Sequence, residues 1–123
     1  MANVLLVDDD ADIRDTTALR LQMQGYEVTA VADADAALTA TTQHTFDVAV
    51  IDIELPGTNG IELLHTIRDN DSTHQLPVIF YTAHWSAATA ARGAALADAY
   101  VTKSQPVARL LESVADLVAS RSQ

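Results

Sequence analysis

The sequence predicts a doubly wound α/β domain: a five-stranded parallel sheet with helices on both faces. Three observations predict it. Apolar runs of strand length alternate five times with segments of helical period, the first run is apolar almost without a break, and acids collect at the ends of runs rather than inside them. Strict alternation leaves right-handed crossovers between parallel strands as the compact arrangement, and a strand covered on both faces needs apolar residues at nearly every position.

Residues 3–7 form the first predicted strand, closed by Asp8, Asp9 and Asp10. Asp10 is placed to cap the first helix. Ile13, Thr17 and Leu21 recur on one expected inward face, and Gly25 supplies the left-handed stop. Residues 26–31 make the second strand, Asp33 caps an alanine-rich helix running to about residue 42, and residues 47–51 make the third strand, ending at Asp52. The segment Leu55-Pro56-Gly57-Thr58-Asn59-Gly60 is loop chemistry, after which Ile61, Leu64 and Ile67 mark the inward face of a third helix. A polar stretch over 69–75 leads to a fourth strand at 77–81. A fourth helix at 86–97, a short fifth strand at 99–101 and a last helix at 106–119 complete the series. Val107, Leu110, Leu111, Val114, Leu117 and Val118 give that last helix its apolar stripe.

Composition bounds the function. The 123 residues, 49% of them hydrophobic, suffice for one core, so residues 1–123 are expected to form a single domain with a polar tail from about residue 120. With no cysteine there is neither a disulfide framework nor a thiolate metal site. No apolar run is long enough to span a bilayer and the N-terminus lacks a basic start, so a cytoplasmic location is expected. A formal charge of −10, from 17 acids against 7 bases, sets the surface against nucleic-acid phosphates and anionic lipid, so no direct nucleic-acid or membrane partner is expected. Lys103 is the single lysine in the chain.

From the chain length we take the flavodoxin-like (βα)5 strand order 2-1-3-4-5, which opens its ligand crevice where strands 1 and 3 meet. Asp8 and Asp9 then leave strand 1, Asp52 leaves strand 3, Thr82 strand 4 and Lys103 strand 5, all at one carboxyl edge. Three neighbouring carboxylates need a counter-ion, and hard oxygen ligands favour Mg²⁺, an ion commonly shared between carboxylates and a substrate phosphate. A phosphate-handling site follows.

Val4-Leu5-Leu6-Val7-Asp8-Asp9, the run Asp52-Ile53-Glu54-Leu55-Pro56-Gly57-Thr58-Asn59-Gly60, Tyr81-Thr82-Ala83 and Tyr100-Val101-Thr102-Lys103 together resemble the response-regulator receiver family of two-component phosphorelays, of which the chemotaxis receiver protein is one. The likeness spans essentially the whole chain. It implies a switch, not an enzyme with an external substrate. Asp52 would be the nucleophile and phosphorylation site, taking a phosphoryl group from a sensor histidine kinase or phosphotransfer protein. Asp9 and Asp52 would bind Mg²⁺ directly, the Glu54 carbonyl would add a ligand, and Asp8 would hold the ion through water. Lys103, the Thr82 hydroxyl and the Ala83 amide would meet the phosphoryl oxygens. The family's switch would couple movement of Thr82 to rotation of Tyr100. Output would pass to a downstream protein through the face made by the fourth helix, fifth strand and last helix, with self-association through that face left open.

Where family members commonly follow the lysine with proline, this chain has Ser104, with Pro106 later. A trans Lys103–Ser104 bond is therefore expected, with Ser104 or Gln105 capping the last helix. Glu54 and His84 stand at variable positions beside the path of a hydrolytic water and are candidates for tuning the phosphoryl lifetime. Asp10 and Asp12 read as cap and first-turn acids, and His44, His65, His74 and His84 lack metal-ligand spacing. Trp85, before an alanine-rich segment with little large apolar surface, is a candidate partner anchor. Two rival functions remain at this stage: a haloacid-dehalogenase-like phosphohydrolase using Asp8 and Asp10, and a degenerate receiver that binds partners without phosphorylation. A flavin module is disfavoured by three aspartates where a cofactor phosphate would rest.

Overall fold

The computed structural model describes residues 1–83, 88, 91 and 97–121. The strands are β1 (Asn3–Val7), β2 (Glu27–Val31), β3 (Val48–Ile51), β4 (Val78–Thr82) and β5 (Ala99–Thr102). They pair in parallel in the order β2-β1-β3-β4-β5, as the sequence predicts. Three helices, α1 (Ala11–Met23), α2 (Ala34–Gln43) and α3 (Gly60–Asp69), and the last helix, Val107–Arg121, flank the sheet. Most of the predicted fourth helix, and His84 and Trp85 before it, lie outside the described residues.

Side-chain alternation divides the interior into two cores. Leu5, Val7, Ala49, Ile51 and Phe80 face α2 and α3, where Ala37, Leu64 and Ile67 meet them. Val4, Leu6, Val50 and Ile79 face the opposite way, against Leu21 of α1 and Leu110 and Val114 of the last helix. β1, β3 and β4 are buried along almost their whole length, which is why they read as unbroken apolar runs. β2, at one edge, is only partly covered.

Helix ends follow the cap chemistry. Asp10 accepts from the Ile13 amide at 3.1 Å, and Asp33 from the Ala36 amide at 2.8 Å. Asn59 and Glu62 form a reciprocal capping box at α3, at 2.9 and 3.3 Å. Gly25 takes φ 95° just after α1, a backbone conformation that β-carbons disfavour.

Two expectations need correction. Ile13 is exposed, whereas Thr17 and Leu21 are buried. Residues four apart drift by about 40° per step around a helix of 3.6 residues per turn, so Ile13 stands about 80° from Leu21 and off the buried stripe. The last helix begins at Val107, so Pro106 precedes it and neither Ser104 nor Gln105 occupies the cap position. Those two side chains brace the end of β5 instead: the Thr102 amide donates to Gln105 Oε1 at 3.0 Å, and the Ser104 and Thr102 hydroxyls lie 3.0 Å apart. No cis peptide occurs among the described residues, so Lys103–Ser104 is trans as expected.

Candidate functional site

Register brings the acids together. Val7 pairs with Ile51, and the next residues on the two strands are Asp8 and Asp52. Their amides continue the ladder, Asp52 donating to the Val7 carbonyl at 2.9 Å and Asp8 to the Val31 carbonyl at 3.1 Å. Asp8 is 2% and Asp52 6% exposed. Asp9, one residue on, is exposed, and the three carboxylates offer oxygens within 4.8 Å of one another.

Lys103 arrives from two strands away. Its amide donates to the Thr82 carbonyl at 2.8 Å, which fixes the backbone beyond β5 beside β4. Its ammonium donates to Asp8 Oδ2 at 2.7 Å and Asp52 Oδ2 at 2.8 Å. The second oxygens are held locally: Asp8 Oδ1 accepts from the Asp10 amide at 3.0 Å and Asp52 Oδ1 from the Glu54 amide at 3.1 Å. Arg14 Nη1 donates to the Asp8 carbonyl at 2.9 Å, tying α1 to the same loop.

Burial, the largest influence, raises the Asp8 carboxyl above 3.8, and hydrogen bonds from Lys103 and the Asp10 amide offset only part of that rise. Burial alone would lower Lys103, but its bonds to Asp52 and Asp8 outweigh this and hold the ammonium above 10.5. One lysine thus bridges two of the three clustered carboxylates, Asp8 and Asp52.

A hard divalent cation suits this donor set, which consists entirely of carboxylate oxygens crowded at one sheet edge. Thr82 adds a second kind of signal. It is fully buried, and among the described residues its Oγ1 has no hydrogen-bond partner. A buried hydroxyl without a partner costs stability, so a site that retains one has a use for a donor at that point.

The other predicted residues fall as follows. Ala83 is exposed just past β4, and Glu54 is exposed. Tyr100 is half-buried on β5, its ring edge-on to Phe80 with centroids 6.2 Å apart. Asp10 spends its carboxylate capping α1, and His44, His65 and His74 are exposed. Sequence reasoning missed Arg14, Gly60 and Tyr81. A β-carbon on Gly60 would lie 2.3 Å from the Asp52 carbonyl oxygen, so α3 starts in backbone contact with the loop that follows β3. The Asn-Gly pair signalled a turn there, without signalling the contact.

A doubly wound sheet with an acidic, lysine-bridged crevice between its first and third strands defines a class of phosphate-handling α/β domains. The chain belongs to a particular family within that class: the profile of the response regulator receiver domain matches residues 4–115. Over 101 residues it is 35% identical to the phosphate regulon transcriptional regulatory protein PhoB of Pseudomonas aeruginosa, covering 81% of this chain and 44% of that one. The chain spans about half the length, or less, of the curated regulators it matches. A CheY-like receiver domain protein from Methanospirillum hungatei superimposes with a TM-score of 0.91 at 31% identity, covering 99% of this chain and 97% of that one. The response regulator TrrA of Thermotoga maritima, solved in complex with Mg(2+)-BeF, gives 0.86 at 32% identity over 95% and 99% of the two chains. Receiver domains are signalling switches rather than substrate-turnover enzymes, and they bind Mg²⁺ at the acidic pocket. Among the described residues no helix is long and apolar enough to cross a membrane.

Proposed function

We propose that residues 1–123 form one phosphoryl-accepting switch in which Asp52 takes a phosphoryl group from a phosphohistidine of a sensor kinase or phosphotransfer protein. The observation that carries this reading is the Lys103 ammonium bridging the buried Asp8 and Asp52 carboxylates, with its own amide bonded to the carbonyl of buried Thr82 at the end of β4. An Asp52 carboxylate oxygen attacks phosphorus. An O–P bond forms as the donor's N–P bond breaks, and the imidazole leaves with the electron pair.

Asp8, Asp9, Asp52 and the Glu54 carbonyl would hold Mg²⁺, whose charge screens the carboxylate from the incoming phosphoryl group. Lys103, having exchanged its carboxylate partners for phosphoryl oxygens, neutralises charge at the acceptor. The Thr82 hydroxyl and Ala83 amide donate to the same oxygens, so this chain's contribution is positioning and charge compensation. Thr82 moving toward the phosphoryl group and Tyr100 turning inward would then bias the face made by segment 86–97, β5 and the last helix, which a downstream protein reads. Glu54 and His84 would tune the lifetime. The phosphohydrolase alternative is weakened because Asp10, its second acid, is committed to the α1 cap.

Intact mass after incubation with Mg²⁺ and acetyl phosphate tests the proposal. One added phosphoryl group, absent in Asp52→Asn and without Mg²⁺, is expected. No adduct on the unaltered protein would overturn it in favour of a degenerate, contact-only receiver.

A further inference from the structure

Lys103 has a neighbour that the proposed chemistry leaves unused. Consecutive β4 residues point to opposite faces of the sheet, and Tyr81 belongs to the core beneath α1 and the last helix while Phe80 belongs to the other. Tyr81 is only 8% exposed, and the Lys103 ammonium stands over its ring, 5.9 Å from the centroid. Two of the ammonium's three N–H groups go to Asp8 and Asp52. The negative face of an aromatic ring attracts a cation at this range.

We infer that Tyr81 is a positioning residue, its ring face holding the Lys103 ammonium where it can bridge the acceptor pocket. The lysine side chain is a flexible four-carbon stem, so something must select its direction. The carboxylates pull it from one side. The ring confines it from another, and it is a wall that does not compete with Asp52 for hydrogen bonds. Tyr81 and Lys103 also line a cavity of about 340 Å³ with Ile13, Thr17, Arg20 and Val107. An aliphatic residue at position 81 would leave the lysine stem facing that space without the ring. Burial raises the Tyr81 phenol above 10.0, so the ring stays neutral at working pH.

This inference rests on the proposed acceptor role, and its test separates the two. Initial phosphorylation rates with acetyl phosphate and Mg²⁺ would be measured by intact mass for the unaltered protein, Tyr81→Phe, Tyr81→Leu, Lys103→Met and the Tyr81→Leu/Lys103→Met double variant. Tyr81→Met stands in if Tyr81→Leu does not fold by circular dichroism. Tyr81→Phe keeps the ring and is expected within about twofold of the unaltered rate, whereas Tyr81→Leu slows it roughly two- to fivefold. In the Lys103→Met background the Tyr81→Leu effect disappears, an outcome a merely structural role would not produce. An unaltered rate in Tyr81→Leu, an equal loss in Tyr81→Phe, or a deficit that persists without Lys103 overturns the inference. If the unaltered protein takes no phosphoryl group, it is the acceptor role that fails. The same cycle read by urea midpoints then decides whether residues 81 and 103 are coupled, and additive midpoints overturn the inference.

Discussion

Gly60→Ala puts one methyl group where the structure has no room for it. Its β-carbon would sit 2.3 Å from the Asp52 carbonyl oxygen, 2.8 Å from Ile53 Cα and 3.0 Å from the Asp52 carbonyl carbon, all backbone atoms that cannot rotate away. Relief to an ordinary separation needs a displacement of about 1 Å between the start of α3 and the acceptor loop. That movement also stretches the Gly60 amide bond to the Ile53 carbonyl, now 2.8 Å. Overpacking of this kind costs about 1 to 3 kcal/mol. With an unfolding entropy of roughly 0.26 kcal/mol/K for a chain of this length, the melting temperature should fall by about 4 to 12 °C. Because the displaced backbone carries Asp52, the acceptor should suffer as well, and a misplacement of about 1 Å slows a positioned reaction by on the order of a hundredfold. Differential scanning calorimetry and phosphorylation followed by intact mass, both on the same preparation, read the two effects. A melting temperature within 1 °C of the unaltered protein together with a rate within twofold would refute the claim that this glycine permits the contact.

Thr82→Val replaces a buried, unpartnered hydroxyl with a methyl group, so stability should hold or rise by about 1 kcal/mol while phosphoryl uptake or lifetime falls; calorimetry and adduct decay measure each. Asp8 has its folded carboxyl raised, so its contribution to stability is present below pH 3.8 and is lost as pH rises through the folded value. Asp8→Asn should therefore raise the melting temperature of the metal-free protein at pH 7, with the gap narrowing as pH falls through the folded value toward 3.8. Mg²⁺ at about a hundred times its dissociation constant should stabilise the unaltered protein by about 2.7 kcal/mol, roughly 10 °C, and Asp8→Asn should forfeit most of that gain in a melting titration. Lys103→Met strips two buried carboxylates of their partner and should cost about 3 kcal/mol near neutrality. Since the folded lysine lies above 10.5, its contribution is whole below that pH and is lost as pH climbs through the folded value, so urea midpoints of the two proteins should converge in strong alkali.

The strands were legible because burial on both faces leaves a one-dimensional mark: Val4 to Val7 and Val48 to Ile51 are apolar without a gap. The polar cluster at the sheet edge was legible for a different reason. Parallel strands deliver the residues at their ends to one edge, so Asp8, Asp52, Thr82 and Lys103 could be grouped by connectivity alone; the Lys103 ammonium meets both acids and its amide meets the Thr82 carbonyl. What stayed hidden depends on angles and distances that spacing does not carry. Ile13 fits a four-residue rhythm yet turns out of the buried stripe, and Gln105 looks like a cap yet reaches back to β5. Tyr81 reads as one more apolar strand residue, because its relation to Lys103 crosses from β4 to the end of β5.

The lysine bridge closes the two longest side-chain links described in the acceptor pocket, with Lys103 lying 95 residues from Asp8 and 51 from Asp52. Contacts so distant along the chain carry a loop-closure cost that earlier pairings must already have met. The pocket is therefore expected to close late in folding, with β1 and β3 in register while their acids still repel. A chain caught before β5 docks would present the acidic motif without its cation. Competence to accept a phosphoryl group would thus report that β5 has docked, making the reaction a check on the last part of the fold that performs it.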